Sequence, residues 1–276
     1  MAIEILLAAT AVFSSFKLDE KGNAKTVMSA SAEISNALAR WRPAIGLSRA
    51  HGESPRSLHT SCNRGKRYGY CGLIDFVNAK VNGVPFRRLE PKPGWTREYA
   101  AEDGKKGFEY ALNYDGATVR YRYWMEPDSP RLFCEVRCSN NSQTPIENIE
   151  VYLSCIPSKL VVNNGKSRFG GYRRAVKTAA RYLEPRQRSS IPITPDDKYF
   201  VFLDEDFDGT AADKGMGPSA CFLETPCEGV IELTDGWTTR LVFKPDPAKP
   251  FVFSLLEYPD ERVPNEEFFN RLTKGK

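Results

Sequence analysis

The 276-residue sequence predicts an all-β fold: an antiparallel two-sheet sandwich with an irregular N-terminal extension and one or two peripheral helices. Three observations predict it. From Tyr68 onward, runs rich in Val, Ile, Phe, Tyr and Thr alternate apolar with polar residues, the period-2 pattern of strands that bury one face. Asn82-Gly83, Asp115-Gly116 and Asp235-Gly236 each stand between two such runs, and these dipeptides suit the positive φ angles of tight hairpin turns. The 19 prolines, 20 glycines and 12% aromatic share fit many short strands joined by turns.

Taken in order, the elements begin with MAIEILLAATAVFSSF. Its apolar run Ile5 to Phe13 has the character of a secretory leader, which would put the protein outside the cell or in a periplasm. Glu4 and the lack of any Lys or Arg depart from that pattern. In SAEISNALARWRP, Ile34, Leu38 and Trp41 fall on one helical face and Pro43 would end the helix. Residues 46–67 are polar and basic with no apolar period, and read as a linker or loop containing His51 and His59, the only histidines. The chain therefore divides into an extension, residues 1–67, and a β domain, residues 68–276.

Within the β domain, IDFVNAKVNGVPFRRL, GFEYALNYDGATVRYRYWM and IELTDGWTTRLVF read as hairpins. RLFCEVRCS, IENIEVYLSCI, KLVVNN, KYFVFL, SACFLE and FVFSLLEY read as further strands, about a dozen in all by the alternation rule. Two segments read as helices: GYRRAVKTAARYLEP, with Tyr172, Val176, Ala179, Ala180 and Leu183 on one face, and NEEFFNRL, with Asn265 as its N-cap. No run reaches the roughly 20 apolar residues of a membrane-spanning helix.

Composition excludes some functions. The formal charge is 39 − 35 = +4, which by itself does not argue for nucleic acid, and no motif that reads DNA or RNA is present. The seven cysteines, Cys62, Cys71, Cys134, Cys138, Cys155, Cys221 and Cys227, form no CxxC pair and have no histidines at zinc-site spacing. Mostly free, partly buried thiols are expected.

Two stretches invite chemistry. The first is DEDFDGTAADK. DFDGT resembles the opening motif of the haloacid dehalogenase superfamily, with Asp206 as nucleophile and Asp208 as general acid. Only 276 − 213 = 63 residues follow Asp213, too few for the βαβ units that chemistry is mounted on. Counted as a calcium loop, Asp204, Asp206, Asp208 and the Thr210 carbonyl take positions 1, 3, 5 and 7, with Gly209 at the tight turn. Gly215 replaces the bidentate glutamate and the flanks are strands, so Asp213 would have to substitute. Calcium is the only cofactor the sequence suggests. The second stretch runs from Val119 to Cys155. Alternation puts Val119, Tyr121, Tyr123 and Met125 on one face and Arg120, Arg122 and Trp124 on the other. The same reading puts Glu135 and Arg137, then Tyr152, on the outward side of the next two strands. If all three strands are neighbours, as sequential strands usually are, one face carries arginines, glutamates and aromatics together. Such a face is either a solvated surface laced with cross-strand ion pairs or a sugar-binding groove, in which rings pack on aromatic planes while Arg and Glu take hydroxyls and carboxylates.

The passage VRYRYWMEPDSPRLFCEVRCSNNSQTPIENIEVYLSCIPS resembles, in pattern, the galactose-mutarotase-like supersandwich proteins, and the likeness extends over residues 68–260. That resemblance implies large antiparallel sheets that bind carbohydrate on a concave face, in epimerases, glycoside hydrolases and polysaccharide lyases. The family's catalytic histidines have no counterpart here, since His51 and His59 precede the β region, so mutarotase activity is not implied. What is implied is recognition of a glycan, and the face that alternation assembles offers Arg120, Arg122, Trp124, Glu135, Arg137 and Tyr152 for it, its arginines making an acidic polysaccharide a candidate. The enzyme alternative is a uronate polysaccharide lyase, with Tyr152 handling the proton and Arg122 and Arg137 neutralising the carboxylate; a third alternative is an interaction module without a small ligand. A basic run from Lys166 to Arg188 (Lys166, Arg168, Arg173, Arg174, Lys177, Arg181, Arg186, Arg188) is a second place for an anionic polymer, or simply a solvated face.

Overall fold

A computed structural model describes residues 7–8, 28–49, 55–56, 60–61, 74–85, 96–100, 106–114, 116–155, 160–163, 166–169, 174–183, 189–204, 219–233 and 239–257. Among the described residues every regular element is a strand, and every strand pairing is antiparallel. The all-β prediction holds. The strands form a nine-stranded sheet and a six-stranded sheet, with a second six-stranded sheet built from N-terminal strands and a separate two-stranded ribbon, Leu160–Asn163 with Lys166–Phe169.

The two larger sheets pack face to face because their strands alternate as the sequence does. Phe108, Tyr110, Leu112, Val119, Tyr121, Tyr123, Leu132, Cys134 and Val136 of the nine-stranded sheet are buried, as are Ile149, Val151, Leu153, Leu241 and Phe243 of the six-stranded one. All belong to one continuous hydrophobic cluster. Phe243 joins the layers, with its ring centroid 5.8 Å from Phe200, 5.3 Å from Phe251 and 6.5 Å from Phe253. Each such aromatic removes enough area from water to contribute about 2–3 kcal/mol. Four buried tyrosines stand among them, and their hydroxyls pair with one another: Tyr110 with Tyr123 and Tyr114 with Tyr121, each at 3.4 Å. The Tyr114 hydroxyl also donates to the Ala79 carbonyl at 3.2 Å, bridging the sheets. Burial pushes all four phenols above their ordinary pKa, so they are neutral core hydrogen-bonding groups.

The hairpins form where the turn dipeptides stand. Asn82 and Gly83 take φ of 48° and 75°, and Gly116 takes 75°, backbone states that Gly and Asn adopt at least cost. Glu228–Leu233 pairs with Thr239–Lys244 as the third signal requires.

Two predicted helices are strands. In SAEISNALARWRP the strand Glu33–Ser35 turns back on Arg40–Arg49, with Ile34 opposite Trp41. The turn is imposed by Asn36, whose Oδ1 accepts from the Leu38 and Ala39 amides at 2.8 and 2.9 Å, a local bond that competes with helix. Leu38, assigned to the apolar helical face, is 45% exposed. Pro43 lies inside the second strand, which runs on into the predicted linker. Ala32, Ile34, Ala39 and Trp41 join the same hydrophobic cluster as the sandwich. In GYRRAVKTAARYLEP, Arg174–Thr178 and Tyr182–Leu183 are strands, and the Thr178 hydroxyl reverses the chain between them by accepting from the Ala180 and Arg181 amides. The segment NEEFFNRL lies outside the described residues.

Candidate functional site

The outward face of the nine-stranded sheet is where the predicted residues meet. Ala117–Trp124 lies between Lys106–Tyr114 and Leu132–Asn140, and the register aligns Glu109, Arg122 and Glu135 in one row across the three strands. The next rows are Ala111, Arg120 and Arg137 on one side, and Gly107, Trp124 and Phe133 on the other. Sequence alternation thus places Arg120, Arg122, Trp124, Glu135 and Arg137 on one face, as expected.

The charges form a ladder. Arg122 Nε donates to Glu109 Oε2, and its Nη1 lies 3.4 Å from Glu135 Oε1. Arg137 donates to both oxygens of Glu135, from Nε at 2.7 Å and from Nη2 at 2.9 Å. Arg120 Nε lies 3.7 Å from Glu109 Oε1. Glu109 is only 3% exposed, because the Arg122 side chain covers it and the neighbouring strands flank it. A buried carboxylate is tolerated when paired in this way. Glu109 escaped the sequence reading, although in GFEYALNY alternation sets it opposite buried Phe108 and Tyr110.

Beyond the ladder the face becomes aromatic. The Trp124 and Phe133 rings stack with centroids 5.6 Å apart at 17°, and Trp124 Nε1 donates to Glu126 Oε1 at 2.9 Å. Trp124 is 8% exposed while Phe133 is half-buried, so Trp124 backs Phe133, the ring nearer the solvent. The row continues through Ser254 and Phe222 to Tyr199. Arg131 lies over the Phe222 ring at 3.7 Å and pairs with Glu224 at 3.5 Å, and Glu224 accepts from the Ser254 hydroxyl at 2.6 Å. Burial lowers the Arg131 pKa and Glu224 opposes that shift.

Tyr152 is not part of this face. After Asn140 the chain crosses to the other sheet, and Ile149–Cys155 pairs there with Ile74–Val81 and Thr239–Lys244. The partner of Leu132–Asn140 on its second edge is Phe251–Glu257. The crossing is pinned by Asn82, whose Oδ1 accepts from the Glu147 and Asn148 amides while its Nδ2 donates to the Pro145 carbonyl at 3.0 Å. The assumption that three sequential strands are neighbours therefore fails at the third. Tyr152 instead lies beneath Arg240, 5.5 Å from guanidinium to ring centroid. Burial raises its pKa, opposed by Arg240, which makes it a weaker acid than a free tyrosine. The trio Tyr152, Arg122 and Arg137 is not assembled.

For calcium, Asp204 ends the strand Tyr199–Asp204, while Asp206, Asp208, Thr210 and Asp213 lie outside the described residues. Among the described residues no group of three His, Cys, Asp or Glu side chains is arranged to hold a metal. His51 and His59 also lie outside them. In the basic run, Arg181 is committed to structure: it forks onto Asp197 and donates to the Pro192 carbonyl at 2.9 Å. Cys134, Cys138, Cys221 and Cys227 are free thiols.

No family model matches the chain, and no curated protein does. Solved structures similar to it include an α-N-acetylgalactosaminidase from Bifidobacterium bifidum in complex with GalNAc, at 11% identity and a TM-score of 0.41 over 92% of this chain and 36% of that one. The galactosidase domain of an α-galactosidase-sucrose kinase is similar at 12% identity and 0.41, covering 84% of this chain and 41% of that one. A provisionally named aldose 1-epimerase of Escherichia coli K12 is similar at 9% identity and 0.41, covering 82% and 97%. The chain thus spans well under half the length of the two glycosidases. At such scores these likenesses do not bear on what the face binds.

Proposed function

We propose that the protein binds a glycan on the outward face of the nine-stranded sheet. The observation that carries the reading is the adjacency of Phe133, backed by Trp124, to the Glu109–Arg122–Glu135 row on one continuous face. Sugars are recognised by that combination: an aromatic surface for the apolar C–H side of a ring, beside fixed donors and acceptors for its hydroxyls. The ladder is suited to this because the Arg122 and Arg137 guanidiniums are held by carboxylates, so their geometry is set before a ligand arrives and little ordering entropy is lost on binding.

A β-eliminating lyase built on Tyr152 loses its support, since the tyrosine stands on the other sheet. Binding is the function the geometry favours. A glycan array probed with the full chain, followed by calorimetric titration of the strongest neutral and acidic hits, tests it. Saturable binding that weakens about tenfold or more in Phe133→Ala and Arg122→Gln is expected, in line with the 1–3 kcal/mol typical of a buried contact. No binding across the array would sink the reading, and unchanged affinity in both variants would move the site off this face.

A further inference from the structure

We propose that Arg120 and Arg137 form a carboxylate subsite, so that the ligand of this face is an acidic oligosaccharide. The inference rests on the glycan reading above and adds the ligand's charge and size. Its starting point is the register: Arg120 stands directly opposite Arg137 on the adjacent strand, with both side chains on the same face. Like charges in directly opposed positions destabilise a sheet, and the usual pairing there is of opposite sign.

Among the described side chains, two carboxylates, Glu109 and Glu135, face three guanidiniums, Arg120, Arg122 and Arg137. Their oxygens are also unevenly shared. Glu135 is forked by Arg137, and Glu109 Oε2 is taken by Arg122, so Arg120 has its ion pair with Glu109 at 3.7 Å, beyond hydrogen-bond length. Among the described residues, the row on the other side of the pair carries no acid. The next row is Asn113, Thr118 and Ser139, where the Thr118 hydroxyl donates to Asn113 Oδ1 at 3.0 Å. Small Ala111 is the neighbour of Arg120 on the third strand.

Access completes the case. The Arg120 and Arg137 side chains are 40% and 49% exposed, whereas Arg122 is 17% exposed and wedged between the glutamates. Two planar guanidiniums side by side, both substantially exposed, match the geometry of a carboxylate, which accepts paired N–H bonds. Size follows from spacing. Arg137 and Phe133 are four residues apart on one strand, about 14 Å at the usual rise. A ligand that reaches both is an oligosaccharide and not a single sugar.

The test compares uronate-containing oligosaccharides, glucuronate and galacturonate series, with the same chains after reduction of each carboxyl to a primary alcohol. The ring skeleton is kept and only the charge is removed. Titrated into the full chain, the acidic form should bind about tenfold to a hundredfold tighter than its reduced counterpart. That ratio should shrink as salt is raised, and it should fall towards one in Arg120→Gln and in Arg137→Gln. A free monosaccharide uronate should bind far more weakly than the oligomer. Circular dichroism confirms the variants are folded; if one is not, the salt dependence of the wild-type ratio still decides. Equal affinity for acidic and reduced chains overturns the subsite and leaves glycan binding standing, while binding of neither overturns the glycan reading itself.

Discussion

Replacing Glu109 by Gln is the perturbation that probes the ladder most sharply. The Glu109 side chain is 4% exposed and, among the described side chains, faces two guanidiniums, Arg122 in hydrogen-bond contact and Arg120 at 3.7 Å. Removing one member of a buried ion pair costs about 3–5 kcal/mol, because the remaining charge stays buried without its partner. Glutamine keeps the shape and one acceptor for Arg122 Nε, so a somewhat smaller loss, about 2–4 kcal/mol, is expected. The assay is urea unfolding at pH 7, run as a double-mutant cycle with Arg122→Met. Since the double variant buries neither charge, its loss should fall short of the sum of the single losses by about 1–3 kcal/mol. A loss under about 1 kcal/mol for Glu109→Gln, or strict additivity in the cycle, would show that the ladder is a loosely solvated surface and would refute the picture of a preset site.

Three other outcomes are expected. Asp197 is 1% exposed; burial alone would raise its pKa, but hydrogen bonds from Arg181, Thr178 and Thr194 outweigh this and hold it below the usual carboxylate value. With the folded pKa lower than the unfolded one, its stabilisation is complete above about pH 4 and is lost as pH falls through the folded value. Asp197→Asn should therefore cost about 3 kcal/mol at pH 7 and converge with wild type in acid; a constant gap across pH would contradict this. Asn36→Ala should destabilise by about 2–3 kcal/mol, because Asn36 Nδ2 donates to the Glu126 and Ser129 carbonyls at 2.8 and 2.7 Å while its Oδ1 holds its own turn, and thermal melts would register it. Gly107→Ala should be among the most damaging single-methyl changes, visible as poor soluble yield, since its Cβ would lie 1.9 Å from the Tyr123 carbonyl oxygen.

How far the sequence could be read depended on the range of the interaction that decided each feature. Alternation is local, so the inward residues Val119, Tyr121 and Tyr123 and the outward Arg120, Arg122 and Trp124 were legible, as were the hairpins at Asn82-Gly83 and around Asp235-Gly236. Tyr152 was misplaced because strand adjacency is not local. Asn82, more than 60 residues away in the chain, fixes where the 145–148 connection crosses between sheets. The lost helices fail for a related reason. Ile34, Leu38 and Trp41 satisfy helical spacing, but Asn36 binds its own turn and the 126–129 turn at once, and Trp41 Nε1 donates to the Pro130 carbonyl at 2.9 Å. Tertiary hydrogen bonds of that kind override propensity. Glu109 was legible in principle, because its place between two inward aromatics fixes its face, yet only the register reveals Arg122 as its partner.

Arginine footprinting tests the central claim most directly. The folded protein is treated with phenylglyoxal with and without the tightest-binding glycan from the array, and modification of each arginine is read by mass spectrometry. Arg240, 41% exposed on the opposite sheet, is the internal reference. Protection of Arg120 and Arg137 with Arg240 unchanged is the predicted result, and protection of Arg240 with Arg120 and Arg137 still reactive would contradict it.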